Sequence, residues 1–395
     1  MRRAVVLQWS RLGDVLQTRV LLRALRSSAS ADRVTLCADA RYAAVARLFP
    51  EVDDFWPVDM AHLSALARHS SAHGTFLRSM TVLPDGINED EVRHVFVLSR
   101  SLAAAICAEL LHPRRIEGYR QTEGCLVPPE PIEWIEARMR RGAPLDVHIA
   151  DAWAALCRHH HPSDWLRPLA LSPGEGTCRP QGATSIALVC DAGEPYRRMP
   201  SAYLCGLAES LLSDFGINVE LHGATVGADQ DDLEPLLAQR GVTDYRGRLT
   251  IDELCARLSA SSLVIGSDTG ALHLAAAFGV PVVGLYSAGA MPHFTGPYAS
   301  NAIVLLNPVW TQSNAKQVAS LAWAVLSNEP VKRMPSDVAA FTPALDEHGV
   351  VFAANGVVGT AGRKEFFARF GCMPTAGSTT QRRASASVQS DCIAH

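Results

Sequence analysis

The chain has 395 residues, 48% of them hydrophobic and 19% charged, with a formal net charge of -4. That length suits two domains, each able to bury its own core, and the composition excludes a disordered or coiled-coil protein. The slight acidic excess argues against duplex nucleic acid as the main partner, because binding to phosphates leaves a basic footprint.

The opening MRRAVVLQWSRLGD places two arginines before an apolar run that Gln8, Ser10 and Arg11 interrupt. The run is too short for the apolar core of a secretory signal. No uninterrupted stretch approaches the roughly 20 apolar residues that span a bilayer, so the protein is expected in the cytoplasm. Ten cysteines are scattered without a C-x-x-C pair or zinc-like Cys/His spacing, and are expected to be reduced and mostly buried.

Residues 4–9 form a short apolar run of the kind that makes a buried parallel strand. After the turn Ser10-Arg11-Leu12-Gly13, Val15, Leu16, Val20, Leu21, Leu22 and Leu25 recur at helical spacing, so a helix is expected over 14–26 with Asp14 at its start. A strand over 33–39, a helix over 42–49, a strand ending at Ser99 and a helix over 101–111 continue the alternation. Such alternation builds a doubly wound parallel sheet.

Residues 166–182 are dense in Pro and Gly and mark a connection. Alternation then restarts: a strand from 185, a helix closed by Gly216, a strand over 217–223, a helix over 233–241, the strand 263–268, the helix 271–279 and the strand 281–286. The expected fold class is therefore α/β, with two doubly wound domains facing across a cleft into which the carboxyl ends of both sheets open, where ligands of such sheets bind. The boundaries expected are a first domain over 1–165, the linker 166–182, a second domain over 183–330, an extension over 331–370 that can return to the first domain, and a disordered tail over 371–395. A further amphipathic helix is expected over 316–325, and the tail is Ser/Thr/Ala-rich with little to bury.

The sharpest local signal is Ser267-Asp268-Thr269-Gly270-Ala271-Leu272-His273, between a strand and a helix. The first amides of a helix are unpaired and sit at the positive end of its dipole, so Thr269, Gly270 and Ala271 can cradle a diphosphate, and His273, one turn further, can donate another hydrogen bond. The plainer reading makes Asp268 or Thr269 a helix cap and His273 a core residue. A loop with Arg197 and Arg198 follows the strand at 185–191, and the plainer reading of those two is a solvated surface. Arg19, Arg23 and Arg26 share one helical face, which can receive a phosphorylated glycolipid or anionic headgroups, or simply face water. His159, His160 and His161 are adjacent; neighbouring helical residues point apart, so no metal site is expected.

The run DTGALHLAAAFGVPVVGLY, from Asp268 to Tyr286, resembles the D-T-G-x-x-H-L-A-A-A-x-G-x-P segment of glycosyltransferase family 9, the ADP-heptose:lipopolysaccharide heptosyltransferases. The stretch from Gly247 to Asp268 resembles the family's lead into that site, Gly296-Pro297-Tyr298 its Trp-Gly-Pro-Tyr turn with Thr295 in the tryptophan's place, and Arg11 to Arg26 its N-terminal Gly-Asp helix start. The loop Gly193 to Pro200 resembles the family's Lys-Arg-Trp-Pro loop, with Met199 in place of the aromatic residue. No glutamate occupies the stretch after Gly223 where the family carries one, and Asp229 is the nearest substitute.

The resemblance implies a GT-B architecture of two Rossmann-like domains, with acceptor bound by the first and nucleotide-sugar by the second. It implies Asp14 as the general base and Arg197 as the cation that stabilises the leaving diphosphate. The donor-binding residues implied are Gly13, Arg198, Gly247, Leu249, Asp268, Thr269, Gly270 and His273. The donor implied is ADP-heptose, a substrate; no metal or other cofactor is implied. Partners would be that donor and a glycolipid, protein or small-molecule acceptor, with no nucleic acid and with peripheral contact at the cytoplasmic face of the inner membrane. Two other classes stay open: a nucleotide-sugar epimerase or hydrolase of the same fold, and a binding protein that kept the fold without catalysis.

Overall fold

The computed structural model describes residues 2–62, 91–143, 145–157, 168–169, 185–223, 233–308, 310–329, 338–346, 349–355 and 361–370. They divide into two compact units, the first holding the described residues up to 157 with 361–370, the second those from 168 to 346 and from 350 to 355. The triple histidine, Asp229, nearly all of the expected linker and the tail lie outside the described residues.

The first unit opens with strand β1, Arg3–Gln8, buried along its whole length. Helix α1 spans Leu12–Gln17 and α2 spans Arg19–Ser27; then come β2, Arg33–Asp39, β3, Asp54–Val58, and β4, Val92–Val97. Helix α3, Leu102–Leu110, leads to β5, Arg115–Gly118, the hairpin of β6, Arg120–Thr122, and β7, Cys125–Val127, and helices α4, Glu130–Arg140, and α5, Ile149–Ala155. The sheet order is β3-β2-β1-β4-β5, and every neighbouring pair is parallel. The winding reverses between β1 and β4, so the residues that follow β1 stand at the switch point.

Three local features differ from expectation. The single helix expected over 14–26 begins at Leu12 and breaks into two at Thr18, whose hydroxyl donates to the Asp14 carbonyl at 2.8 Å, a side-chain back-bond that bends helices. The helix expected over 42–49 is reduced to Ala43–Ala46, as Pro50 disfavours helical backbone in the residue before it. The face of Arg19, Arg23 and Arg26 is not a free basic surface. Arg19 and Arg23 are buried, with Nε 3.4 and 2.7 Å from the two oxygens of buried Glu51, and Arg26 pairs with Asp53 and with the Glu51 carbonyl. That correction removes the anionic-lipid reading of this helix.

The second unit alternates β8, Ser185–Val189; α6, Ser201–Phe215; β9, Asn218–His222; β10, Val242–Asp244; α7, Ile251–Ala260; β11, Leu263–Ser267; α8, Gly270–Ala277; β12, Val282–Tyr286; β13, Ala302–Leu306; and α9, Gln312–Ser327. Strands β14, Ala339–Asp346, and β15, Gly349–Ala354, extend the sheet, whose order is β10-β9-β8-β11-β12-β13-β14-β15. Neighbours from β10 to β13 are parallel, and β14 joins β13 antiparallel. Here the winding reverses between β8 and β11. The core beneath α6 and α9 includes Ile186, Leu188, Leu204, Leu207, Leu211, Ile265, Val318 and Leu321.

The last described helix, α10, Ala361–Phe370, belongs to the first unit. Phe366 packs edge-on against Trp134, with ring centroids 5.5 Å apart. Arg363 Nη1 meets Asp151 Oδ2 at 2.6 Å, with side chains 1% and 0% exposed.

Candidate active site

In the second unit, the chemistry-bearing residues collect at the carboxyl ends of five parallel strands. Asp191, Arg197 and Arg198 follow β8, Gly223 follows β9, and Arg246, Gly247 and Leu249 follow β10. Ser267 ends β11, with Asp268 and Thr269 leading into α8, and Tyr286 ends β12. This is the switch point of the sheet, the place where open α/β sheets bind ligands.

Arg197 closes a 3-10 turn over Pro195–Arg197 and donates from Nη1 to Asp268 Oδ2 at 2.8 Å. Its neighbour Arg198 is held from the other strand end, with Nε 3.1 Å from Asp191 Oδ1. The two adjacent arginines thus take carboxylate partners on either side of the reversal. Neither is the solvated surface residue of the plainer reading. Gly247 donates its amide to the Gly223 carbonyl at 2.8 Å, tying the turns after β9 and β10, and Leu249 is half-buried beyond it. Thr250 then starts α7 with a reciprocal cap on Glu253, its amide donating to Oε2 at 2.7 Å.

Thr269 is the N-cap of α8 in extended conformation, yet its side chain makes no capping bond. Ser267 Oγ, Thr269 Oγ1 and Tyr286 Oη are all buried with no hydrogen-bond partner among the described residues. Buried hydroxyls are normally paired, so three orphans beside one helix N-terminus mark a place built for a polar ligand. Gly270 has no side chain to keep an anion from the amides. His273 is buried, and burial lowers its pKa to about 4 against a partial upward pull from Asp268. At neutral pH it is an uncharged imidazole, with one N–H to donate.

In the first unit, Gly13 and Asp14 occupy the second and third positions of α1, at that sheet's own switch point. The Arg11 amide donates to Asp14 Oδ2 at 3.2 Å, so the half-buried carboxylate caps the helix from inside it. Tyr42, which the sequence did not single out, is near enough to feel Asp14: burial raises the phenol's pKa, Arg41 and a hydrogen bond with the Leu12 backbone oppose the rise, and Asp39 and, least of all, Asp14 add to it. Gly13 is in the first unit, whereas the other expected donor-binding residues are all in the second.

A model of glycosyltransferase family 9 (heptosyltransferase) matches residues 183–323, the span that holds the strand ends just described. The chain carries a glycosyltransferase family 9 domain. Lipopolysaccharide heptosyltransferase 2 of Escherichia coli K12 is 23% identical over 327 residues, covering 74% of this chain and 85% of that protein. Among solved structures, the family 9 glycosyltransferase of Veillonella parvula superposes with a TM-score of 0.62 at 19% identity, covering 83% of this chain and 98% of that one. Escherichia coli heptosyltransferase WaaC with ADP superposes at 0.61 and 16% identity, covering 82% and 99%. The superpositions give the fold as GT-B, two Rossmann-like units, and the family match makes residues 183–323 similar to a glycosyltransferase family 9 domain.

Two departures from the family 9 pattern have a structural account. Met199, in the place of an aromatic residue, is 3% exposed and packs in the core with Tyr203 and Leu204, so it anchors the arginine loop from below. Thr295, in the place of a tryptophan, ends a short helix over Pro292–Thr295 and donates its hydroxyl to the Met291 carbonyl at 3.3 Å. Among the described residues no cluster of His, Cys, Asp or Glu is arranged to hold a metal ion, and no helix is long and apolar enough to cross a membrane.

Proposed function

We propose that the protein transfers heptose from ADP-heptose, with inversion, to a hydroxyl of a lipopolysaccharide core-like glycolipid; a protein or small-molecule hydroxyl is the alternative acceptor. The observation that carries the donor site is the set of unpartnered buried hydroxyls of Ser267, Thr269 and Tyr286 at the N-terminus of α8, with Arg197 beside them. Donors of hydrogen bonds, a helix dipole and a guanidinium together suit a diphosphate. The names of the relatives, heptosyltransferases of lipopolysaccharide, one solved with ADP, support the choice of donor and acceptor.

The proposed reaction is one displacement. The acceptor oxygen attacks the anomeric carbon as the bond from that carbon to the diphosphate oxygen breaks, Asp14 takes the acceptor's proton, and ADP leaves. Arg197, Arg198, His273 and the amides of Thr269 and Gly270 hold the leaving diphosphate, where negative charge grows. Gly247 and Leu249 line the nucleoside side. These groups supply the positive charge the leaving group needs, so the reaction as written calls for no metal or cofactor. A glycolipid acceptor would bring the enzyme to the cytoplasmic face of the inner membrane.

The test is incubation of the purified protein with ADP-heptose and heptose-deficient lipopolysaccharide, read by mass spectrometry. A gain of one heptose on the acceptor with release of ADP is expected. Release of free heptose at the same rate without acceptor would replace transfer by hydrolysis.

A further inference from the structure

Tyr286 is 0% exposed, and its ring occupies a slot that the sequence keeps open. A Cβ at Gly284 would stand 3.0 Å from Tyr286 Cε1 and 3.1 Å from Leu272 Cδ2, so the glycine leaves room for the ring between β12 and α8. Phenylalanine would fill the same slot without burying a hydroxyl that lacks a partner. Burial keeps the phenol protonated, the Asp268 carboxylate adds to this through its charge and a side-chain interaction with the phenol, and Arg197 opposes; the phenol and carboxylate fall short of a well-formed hydrogen bond. Asp268 already has a partner in Arg197.

We propose that Tyr286 is a positioning residue of the donor site, the reserve partner of Asp268: when a diphosphate draws Arg197 away, the phenol O–H donates to the carboxylate left behind. Without that bond, Asp268, whose side chain is half-buried, would stand as an unpaired negative charge beside the incoming anion. The proton stays on the phenol throughout, and no covalent bond changes. This inference rests on the donor site proposed above.

Calorimetric titration of ADP into four proteins tests it: wild type, Tyr286→Phe, Asp268→Asn and the double variant. Tyr286→Phe, which removes one oxygen, should weaken ADP about tenfold, the scale of a hydrogen bond to a charged group, while its melting temperature stays level or rises. In the Asp268→Asn background the same substitution should change affinity by less than about twofold, because a neutral amide does not repel the diphosphate. Equal affinity of wild type and Tyr286→Phe, or the same loss in both backgrounds, would overturn the role of Tyr286 and leave the donor site standing. Failure of the wild type to bind ADP would overturn the donor site itself.

Discussion

Arg197 Nη1 donates to Asp268 Oδ2 across 2.8 Å, and so joins the loop after β8 to the turn after β11, the two neighbouring strands between which the second sheet reverses its winding. An incoming diphosphate competes with Asp268 for the same guanidinium. Arg197 therefore enters the reaction already oriented, with part of its ordering cost met by the fold.

Arg197→Ala removes a charge-assisted contact to the leaving group. Transfer at saturating acceptor should fall by about 10²–10³ in kcat, the usual cost of losing one such donor. Steady-state kinetics decides the matter, and a kcat within twofold of wild type would take Arg197 out of the mechanism.

Asp14→Asn keeps the size of the side chain and its ability to accept from the Arg11 amide, but not its basicity. Loss of about 10²–10⁴ in kcat is expected for a general base, with ADP affinity unchanged within about twofold. If the variant transfers heptose at the wild-type rate, Asp14 is a helix cap and nothing more.

Much of this was legible in the sequence because parallel strands buried on both faces read as short apolar runs: β1, β8, β11 and β12 announce themselves so, while β9 shows Val219 and Leu221 alternating with polar residues. The turn from Ser267 to His273 was legible for the same reason, lying between such a run and a helical one. Strand β3 was not, because Pro57 sits inside it; the proline is tolerated at the sheet edge, where β3 lies. Strand β10 and the hairpin strands β6 and β7 have three residues each, too few for any period to show. The start of α7 is written in the Thr250 and Glu253 pair, a reciprocal cap whose two residues stand three apart in the sequence. Tyr286 and Ser267 read as ordinary strand residues, since only the fold reveals that their hydroxyls are buried unpaired beside Asp268. The arginine stripe on α2 misled for a related reason: its counter-charge, Glu51, comes from a loop about 28 positions beyond Arg23, and helical periodicity cannot see it.

His273 predicts a pH dependence of stability. The unfolded chain takes up its proton near 6.5 and the folded one only near 4, so between these values the unfolded state binds more protons. Stability contributed by this residue is complete above 6.5 and declines as pH falls toward 4, by roughly 3 kcal/mol at most. Denaturant melts across that window should show a shallower decline in His273→Gln than in wild type. Parallel curves would mean that His273 is protonated in the fold.

The Arg363 and Asp151 pair anchors α10 in the first unit with both side chains out of water. Removing one partner leaves a buried charge uncompensated, so Asp151→Ala should cost about 3–5 kcal/mol in urea unfolding. A loss below about 1 kcal/mol would show that α10 contributes little to the unit.

The central claim is that a nucleoside diphosphate sits at the N-terminus of α8. A crystal structure of the protein with ADP tests it most directly: the β-phosphate should accept hydrogen bonds from the Gly270 amide and from the hydroxyl of Thr269, with Arg197 turned from Asp268 toward the phosphate. A diphosphate bound elsewhere, with the Arg197–Asp268 pair intact and the three hydroxyls still unpartnered, would contradict it.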